Sequence, residues 1–350
     1  MALQHLGFVD LPAHAKGGGF DHAAVHEPTG RVYVAHTAND AVDVIDIEAQ
    51  QYVGSIPGLS AVAGALVAAP DLVFTSNRGD NTIGVFTVGG AKRDEGRHGS
   101  AGAPRALGGI EGRHGSAGAP RALGGMGGHV GAPHVMLGKI GVGVRPNGLA
   151  YDPRRARLLV AHVGDPAIPG SCTVSVVDVG ARKRIADITV AGRTRWTVYD
   201  PVADAFHVNI AEPPQVVVVE SGDPVGIRRV AAIPHAGPHG LDLDVERRRL
   251  FCACDAGVLL EVDADTGEVL ATEAIAGVPD VVFFNAAASR LYVAIADPGV
   301  VEVFDTAPLR RHETVATEAG AHTLSFDAAR NIVCAFLPAS HRAAVYRDRA

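Results

Sequence analysis

Cysteine is scarce in this chain, and its placement excludes more than its number. The four cysteines of the 350 residues are Cys172, Cys252, Cys254 and Cys334. Cys252 and Cys254 alternate along one apolar run, which is neither CxxC nor zinc-finger spacing. They read as small buried residues in a reducing compartment. No apolar run approaches the ~18 residues that a membrane-spanning helix needs, so no membrane association is expected. Basic residues form no cluster interleaved with aromatics and the formal net charge is −7, so nucleic acid is not an expected partner. The opening stretch MALQHLGFVDLPAHAKGGG lacks the charged-then-apolar layout of a secretory signal, and a cytoplasmic location is expected. There is no GxSxG and no HExxH. Gly17-Gly18-Gly19 precedes a strand rather than a helix and Gly141-Val142-Gly143 lies at a strand end, so neither is a phosphate loop. The carboxylates of residues 255–265 (DAGVLLEVDAD) lack EF-hand spacing and read as turn chemistry.

What the sequence does have is a repeated unit. Residues 31–47, RVYVAHTANDAVDVIDI, read as two short strands joined by His36-Thr37-Ala38-Asn39-Asp40, residues suited to tight turns. A strand precedes them at 20–26 and another follows at 51–56. Copies are found by anchoring on an acidic or amide residue that stands four or five positions before a strand of the Arg-Val-Tyr-Val type. The anchors are Glu27, Asp152, Asp200, Asp244, Asn285 and Asp327, and from Asp152 onward the steps are 48, 44, 41 and 42 residues. One further copy, 72–88, precedes a long insertion. Seven four-stranded units of this period predict an all-β fold, a seven-bladed β-propeller in which each sheet buries its faces on its neighbours.

The chain is expected to be one domain, with blades at 20–57, 62–143, 146–191, 194–234, 239–276, 280–316 and 322–346. The last unit has three strands, and the strand at 3–11 completes it and closes the ring. Residues 89–134 contain a tandem 16-residue repeat, EGRHGSAGAPRALGGI followed by EGRHGSAGAPRALGGM. Its composition predicts a flexible surface loop, and its His98 and His114 read as part of a tolerated duplication.

Arg31-Val32-Tyr33-Val34-Ala35 with Ala41–Asp46, Arg290-Leu291-Tyr292-Val293-Ala294 with Val301–Asp305, and the turn Ser76-Asn77-Arg78-Gly79-Asp80-Asn81 resemble the YVTN family of propeller repeats. The pattern departs from it at His36 and His162, where Asn is common. The resemblance implies a seven-bladed propeller but not an activity, because such propellers host lyases, lactonases, cofactor-handling proteins and scaffolds.

Chemistry is expected where the blades converge. Five residues before each anchor lies the start of an innermost strand, at one mouth of the axial channel. The residues there are His22, Asn147, Arg195, His239, Asp280 and His322, with Ala63 in the second blade. The second strands return to the same face, ending at His36, Asn77, His162, Asn209, Cys254, Ile295 and Phe336. Histidines recurring at equivalent strand starts suggest a divalent transition-metal site (Zn, Fe, Cu, Mn or Ni) on His22, His239, His322 and Asp280. His36 and Arg195 are the candidate catalytic residues, and Asn147, Trp196, His162 and Asn209 the candidate ligand contacts. Arg195 would hold an anionic substrate.

Two functions follow from this reading. In one, a metal at the mouth serves a small-molecule substrate in a lyase, hydrolase or oxidase, with the virginiamycin-inactivating propeller lyases as a loose analogue. In the other, the protein is a binding or assembly scaffold whose loops engage a protein partner.

Overall fold

The computed structural model describes residues 2–68, 71–88 and 134–349. Seven four-stranded antiparallel sheets stand in a ring, as the repeat predicted. Their innermost strands are Phe20–His26, Val62–Ala68, Pro146–Asp152, Thr194–Asp200, Pro238–Asp244, Pro279–Asn285 and Thr323–Asp327. In the seventh blade the outermost strand is Leu3–Asp10, paired with Arg342–Asp348 from Leu3↔Asp348 to Asp10↔Arg342. The N-terminal strand therefore supplies the seventh blade's fourth, outermost strand and closes the ring. The repeat-bearing insertion, predicted to be a flexible loop, lies outside the described residues apart from His134, between Thr82–Thr87 and Met136–Gly141. No helix among the described residues is long and apolar enough to cross a membrane.

Burial grades outward from the middle of each blade. The second strands, such as Arg31–His36 and Arg290–Ile295, are almost wholly buried, because blades cover both their faces. Outer strands such as Gln51–Pro57 alternate with solvent. Among the described residues the buried apolar side chains gather into seven clusters, one between each pair of adjacent blades. One joins Tyr292 and Val303 of blade 6 to Val333 and Ala335 of blade 7, and the next joins Cys334 and Phe336 of blade 7 to Val32 and Ile45 of blade 1.

The anchors earn their recurrence at the turn after each inner strand. Asp152 Oδ1 accepts the backbone N–H of Arg154 at 2.8 Å, Asp200 Oδ1 that of Val202 at 2.9 Å, and Asp327 Oδ1 that of Arg330 at 3.0 Å. These are Asx turns, in which the side chain accepts the backbone N–H two or three residues on and reverses the chain. In blade 1 the strand ends on His26, paired with Arg31, so His26 and not Glu27 is the structural counterpart of the anchors.

At the opposite end of the inner strands, six blades carry the same irregularity. The pairing shifts between Phe20/Ala23, Val62/Gly64, Pro146/Leu149, Thr194/Thr197, Pro238/Gly240 and Pro279/Val282. A bulge places one extra residue on the inner strand and re-aims the side chains around it. The bulged residues are those at the axial mouth.

Candidate functional site at the axial mouth

The four residues expected to hold a metal do meet, around Asp280. His239 Nε2 lies 3.1 Å from Asp280 Oδ1, His22 Nε2 3.8 Å from the same oxygen, and His322 Nε2 3.8 Å from Oδ2. They come from blades 5, 1 and 7, which flank blade 6 or follow it around the ring. Two of the imidazoles are oriented from behind. His239 Nδ1 is 2.7 Å from Asp255 Oδ1, and His322 Nδ1 donates to the carbonyl of Gly320 at 2.7 Å. The second contact fixes the tautomer of His322 and leaves its Nε2 as a lone-pair donor toward Asp280.

Two carboxylates of this cluster escaped the sequence reading. Asp21 Oδ1 lies 3.2 Å from His22 Nε2, and the ligand atoms of Asp21, His22 and Asp280 all lie within 4.8 Å of one another. Counting from His26 instead of Glu27 makes Asp21 the blade 1 counterpart of Asp280. His22 is then the next residue along the same bulge, so the register in this blade was one residue late. Asp255, read as turn chemistry, instead binds His239 and reaches Arg195 Nη2 at 3.2 Å.

Electrostatics divide the mouth in two. Burial by itself would lower the pKa of His239, but the adjoining carboxylates of Asp280 and Asp255 outweigh it and hold the imidazolium, raising the pKa. Burial would raise that of Asp280, yet His239 and His22 keep it well below the usual carboxylate range. Asp255 is likewise lowered, burial being outweighed by His239 and Arg195. Across the axis the walls are basic. Arg195 Nη1 is 3.0 Å from His239 Nε2, Arg78 Nη1 is 3.2 Å from Asp21 Oδ2, and Arg78 Nη2 donates to Asn147 Oδ1. Burial lowers the pKa of Arg193, and the neighbouring charges of Arg195, Arg145 and Arg78 lower it further. Four guanidinium groups are thus close enough to repel one another.

Beneath this ring, His22 and Trp196 reach toward each other across the axis with ring centroids 4.3 Å apart. Residues from blades 1 and 4 can touch because Gly64 and Gly148 hold the corresponding positions between them. A Cβ on Gly148 would come within 2.6 Å of the Arg195 carbonyl oxygen, and one on Gly64 within 2.9 Å of that of Asn147.

The second-strand ends do not ring the mouth, which corrects that part of the expectation. His36 is fully buried inside its blade, with Nδ1 2.7 Å from Asp43 Oδ2 and Nε2 2.7 Å from His14 Nδ1. Asp43 in turn accepts from Ser55 Oγ at 2.5 Å, so the pair ties three strands together. His162 lies between Thr173 Oγ1, 2.8 Å from Nδ1, and the backbone N–H of Gly143, which donates to Nε2 at 3.2 Å. Burial drives its pKa down to about 4. Asn209 donates Nδ2 to the carbonyls of His239 and Gly240 at 3.0 and 3.2 Å, which steadies the bulge rather than facing a ligand. Hydrogen-bonded strand ends of this kind need polar residues, and polarity alone does not distinguish them from residues on the axis.

Fold and mouth define a seven-bladed β-propeller whose axial entrance is acidic and histidine-rich on one side and basic on the other. No protein-family model matches the chain, including the YVTN family its repeats resemble, and no curated protein matches it. Among solved structures it is similar to Kuenenia stuttgartiensis hydrazine synthase, with a TM-score of 0.73, 12% identity, and 96% of this chain and 98% of that chain covered. At that identity the likeness concerns the fold.

Proposed function

We propose that the protein binds a small anionic molecule at the axial mouth and acts on it with a divalent metal and an acid–base histidine. The observation that carries this reading is the convergence of His22, His239 and His322 on Asp280, with Asp21 completing a compact donor group. Two carboxylates and an imidazole suit a divalent ion of the Mn, Fe or Zn type. Asp21, His22 and Asp280 would hold it, with His322 across Asp280 as a further nitrogen donor. His239 is the poorer ligand, since its Nε2 already meets both Asp280 and Arg195.

When bound, such an ion polarises a substrate oxygen or activates water. The chain's own residues supply the rest. Arg195 and Arg78, backed by Arg193, offer a charged surface for a carboxylate or phosphate. Asp255 orients His239 through Nδ1, and the carboxylates of Asp280 and Asp255 outweigh burial and raise its pKa, which suits it to an acid–base role. Trp196 and His22, with ring centroids 4.3 Å apart, form the floor of the mouth.

Metal content measured by inductively coupled plasma mass spectrometry on protein purified without chelator is the test. We expect near-stoichiometric transition metal in the wild type. In Asp280→Asn, affinity should fall by about 100-fold or more, since loss even of an outer ligand partner costs ~10–100-fold. Wild-type protein that takes up no Zn, Fe, Cu or Mn on incubation would sink the metal reading and favour a scaffold that uses the mouth for a protein partner.

A further inference from the structure

Below the His22–Trp196 pair the channel changes character. A cavity of about 480 Å³ runs along the inner strands of blades 1 to 6, from His22 and Trp196 to Pro153. Pro153 follows the last residue of its inner strand, so the cavity reaches the face opposite the mouth. Its walls are apolar and aromatic: Leu66, Leu149, Tyr151, Val198, Tyr199 and Phe283 all line it and are only partly buried. Here the inward positions carry side chains that lose free energy in contact with water.

One lining residue contradicts this pattern. Among the described residues that line the cavity, Asp242 is the sole acidic one and there is no lysine or arginine. Its carboxylate accepts one backbone N–H on each oxygen, from Leu243 at 2.8 Å and from Phe284 at 2.7 Å. Each oxygen has a second acceptor position, and Asp242 is partly exposed, toward the cavity. Burial pushes its pKa up to about 6, and the two backbone donors only partly offset that cost to its charged form. An uncompensated carboxylate in apolar surroundings costs stability, and a mobile cation that also fills the apolar volume would relieve that cost.

We propose that this lower chamber is a second binding site, distinct from the mouth, for a small hydrophobic amine whose ammonium group pairs with Asp242 while its aromatic or aliphatic body packs among Trp196, Tyr151, Tyr199 and Phe283. The volume falls within the range of small-molecule sites, which are mostly apolar with one or two placed polar groups. The aromatic rings that line the same cavity offer further attraction for a cation. The mouth differs in kind, since its basic wall favours anions. The two sites therefore select opposite charges on either side of the His22–Trp196 floor.

The chain holds a single tryptophan, so its intrinsic fluorescence reports the chamber directly. Full-length protein is titrated with 2-phenylethylamine and, separately, with its neutral counterpart 2-phenylethanol. The amine should give a saturable change, and the alcohol should bind at least about tenfold more weakly. Asp242→Asn keeps the shape and one of the two acceptor oxygens, and should weaken the amine tenfold or more while leaving the alcohol unchanged. Ala24→Phe, which fills the cavity from blade 1 with Asp242 intact, should abolish both signals and covers the case in which Asp242→Asn does not fold. Asp280→Asn, in the mouth, should leave amine binding as it was. Equal affinity for amine and alcohol, undiminished amine binding in Asp242→Asn, or no saturable response in the wild type would each overturn the proposal.

Discussion

Replacing Asp280 by asparagine should drop the pKa of His239 below the ordinary imidazole value of ~6.5. Burial and Arg195 both disfavour the imidazolium, and in the wild type Asp280 and Asp255 overcome them. With the Asp280 charge gone, Asp255 faces those two influences alone. Titration of the His239 ring protons by NMR in both proteins measures this, and an unchanged value in the variant would mean that Asp280 does not hold the proton.

The same change has a stability counterpart with a defined sign. His239 has a raised folded pKa, so its contribution is complete below the unfolded value and is lost as pH rises through the folded one. Asp280 has a depressed folded pKa, so its contribution exists above the unfolded carboxylate value and is lost as pH falls. Both are present together between ~4.5 and ~6. The wild type should exceed Asp280→Asn in denaturation midpoint most clearly in that window, and the gap should narrow toward pH 9.

The fold was legible because a propeller repeats its local chemistry. Asp152, Asp200, Asp244 and Asp327 recur as Asx-turn acceptors, and each precedes a second strand buried on both faces, so turn and apolar run mark the same period. The candidate site was only partly legible, for reasons visible in particular residues. His26 closes its strand in blade 1 where blades 3 to 7 use Asp or Asn, so counting from Glu27 moved the register by one and hid Asp21. The bulge softened this error, since Asp21 and His22 both lie at the mouth. The second-strand ends carry no such signal. His36 and His162 sit at matching positions in their repeats, but they bind hydroxyls and carboxylates of neighbouring strands. Nothing in their own sequence position distinguishes this from a place on the axis. Asp255 belonged to an acidic stretch that looked like a turn, and its partner His239 lies 16 residues away across a strand pair. Tertiary pairs of this kind have no local signature.

The anchors that make the repeat readable should also be where the structure is most easily broken. Asp200 is fully buried. Its Oδ1 accepts the backbone N–H groups of Val202 and Ala203 at 2.9 and 3.0 Å. Its two oxygens also take Arg248 Nη1 and Nη2 at 2.8 and 2.7 Å, which couples blade 4 to blade 5. His207 Nε2 is 3.2 Å from Oδ2. Burial would raise the pKa of Asp200, but His207, Arg248 and the backbone donors outweigh it and lower it far below the carboxylate norm. Asp200→Ala removes the acceptor while leaving the donors in place, and breaking a buried pair in this way costs about 3–5 kcal/mol. Arg248 keeps Asp265 at 2.7 Å, which places the expected loss at the lower end of that range. Because the folded pKa is depressed, the stabilisation is present above the unfolded carboxylate value and disappears as pH falls through the folded one. Urea denaturation should therefore show the full wild-type advantage at pH 7 and a clearly smaller one at pH 3 and below. A gap that is the same at both values would mean that Asp200 stabilises through its shape alone, and that its charge plays no part in joining the two blades.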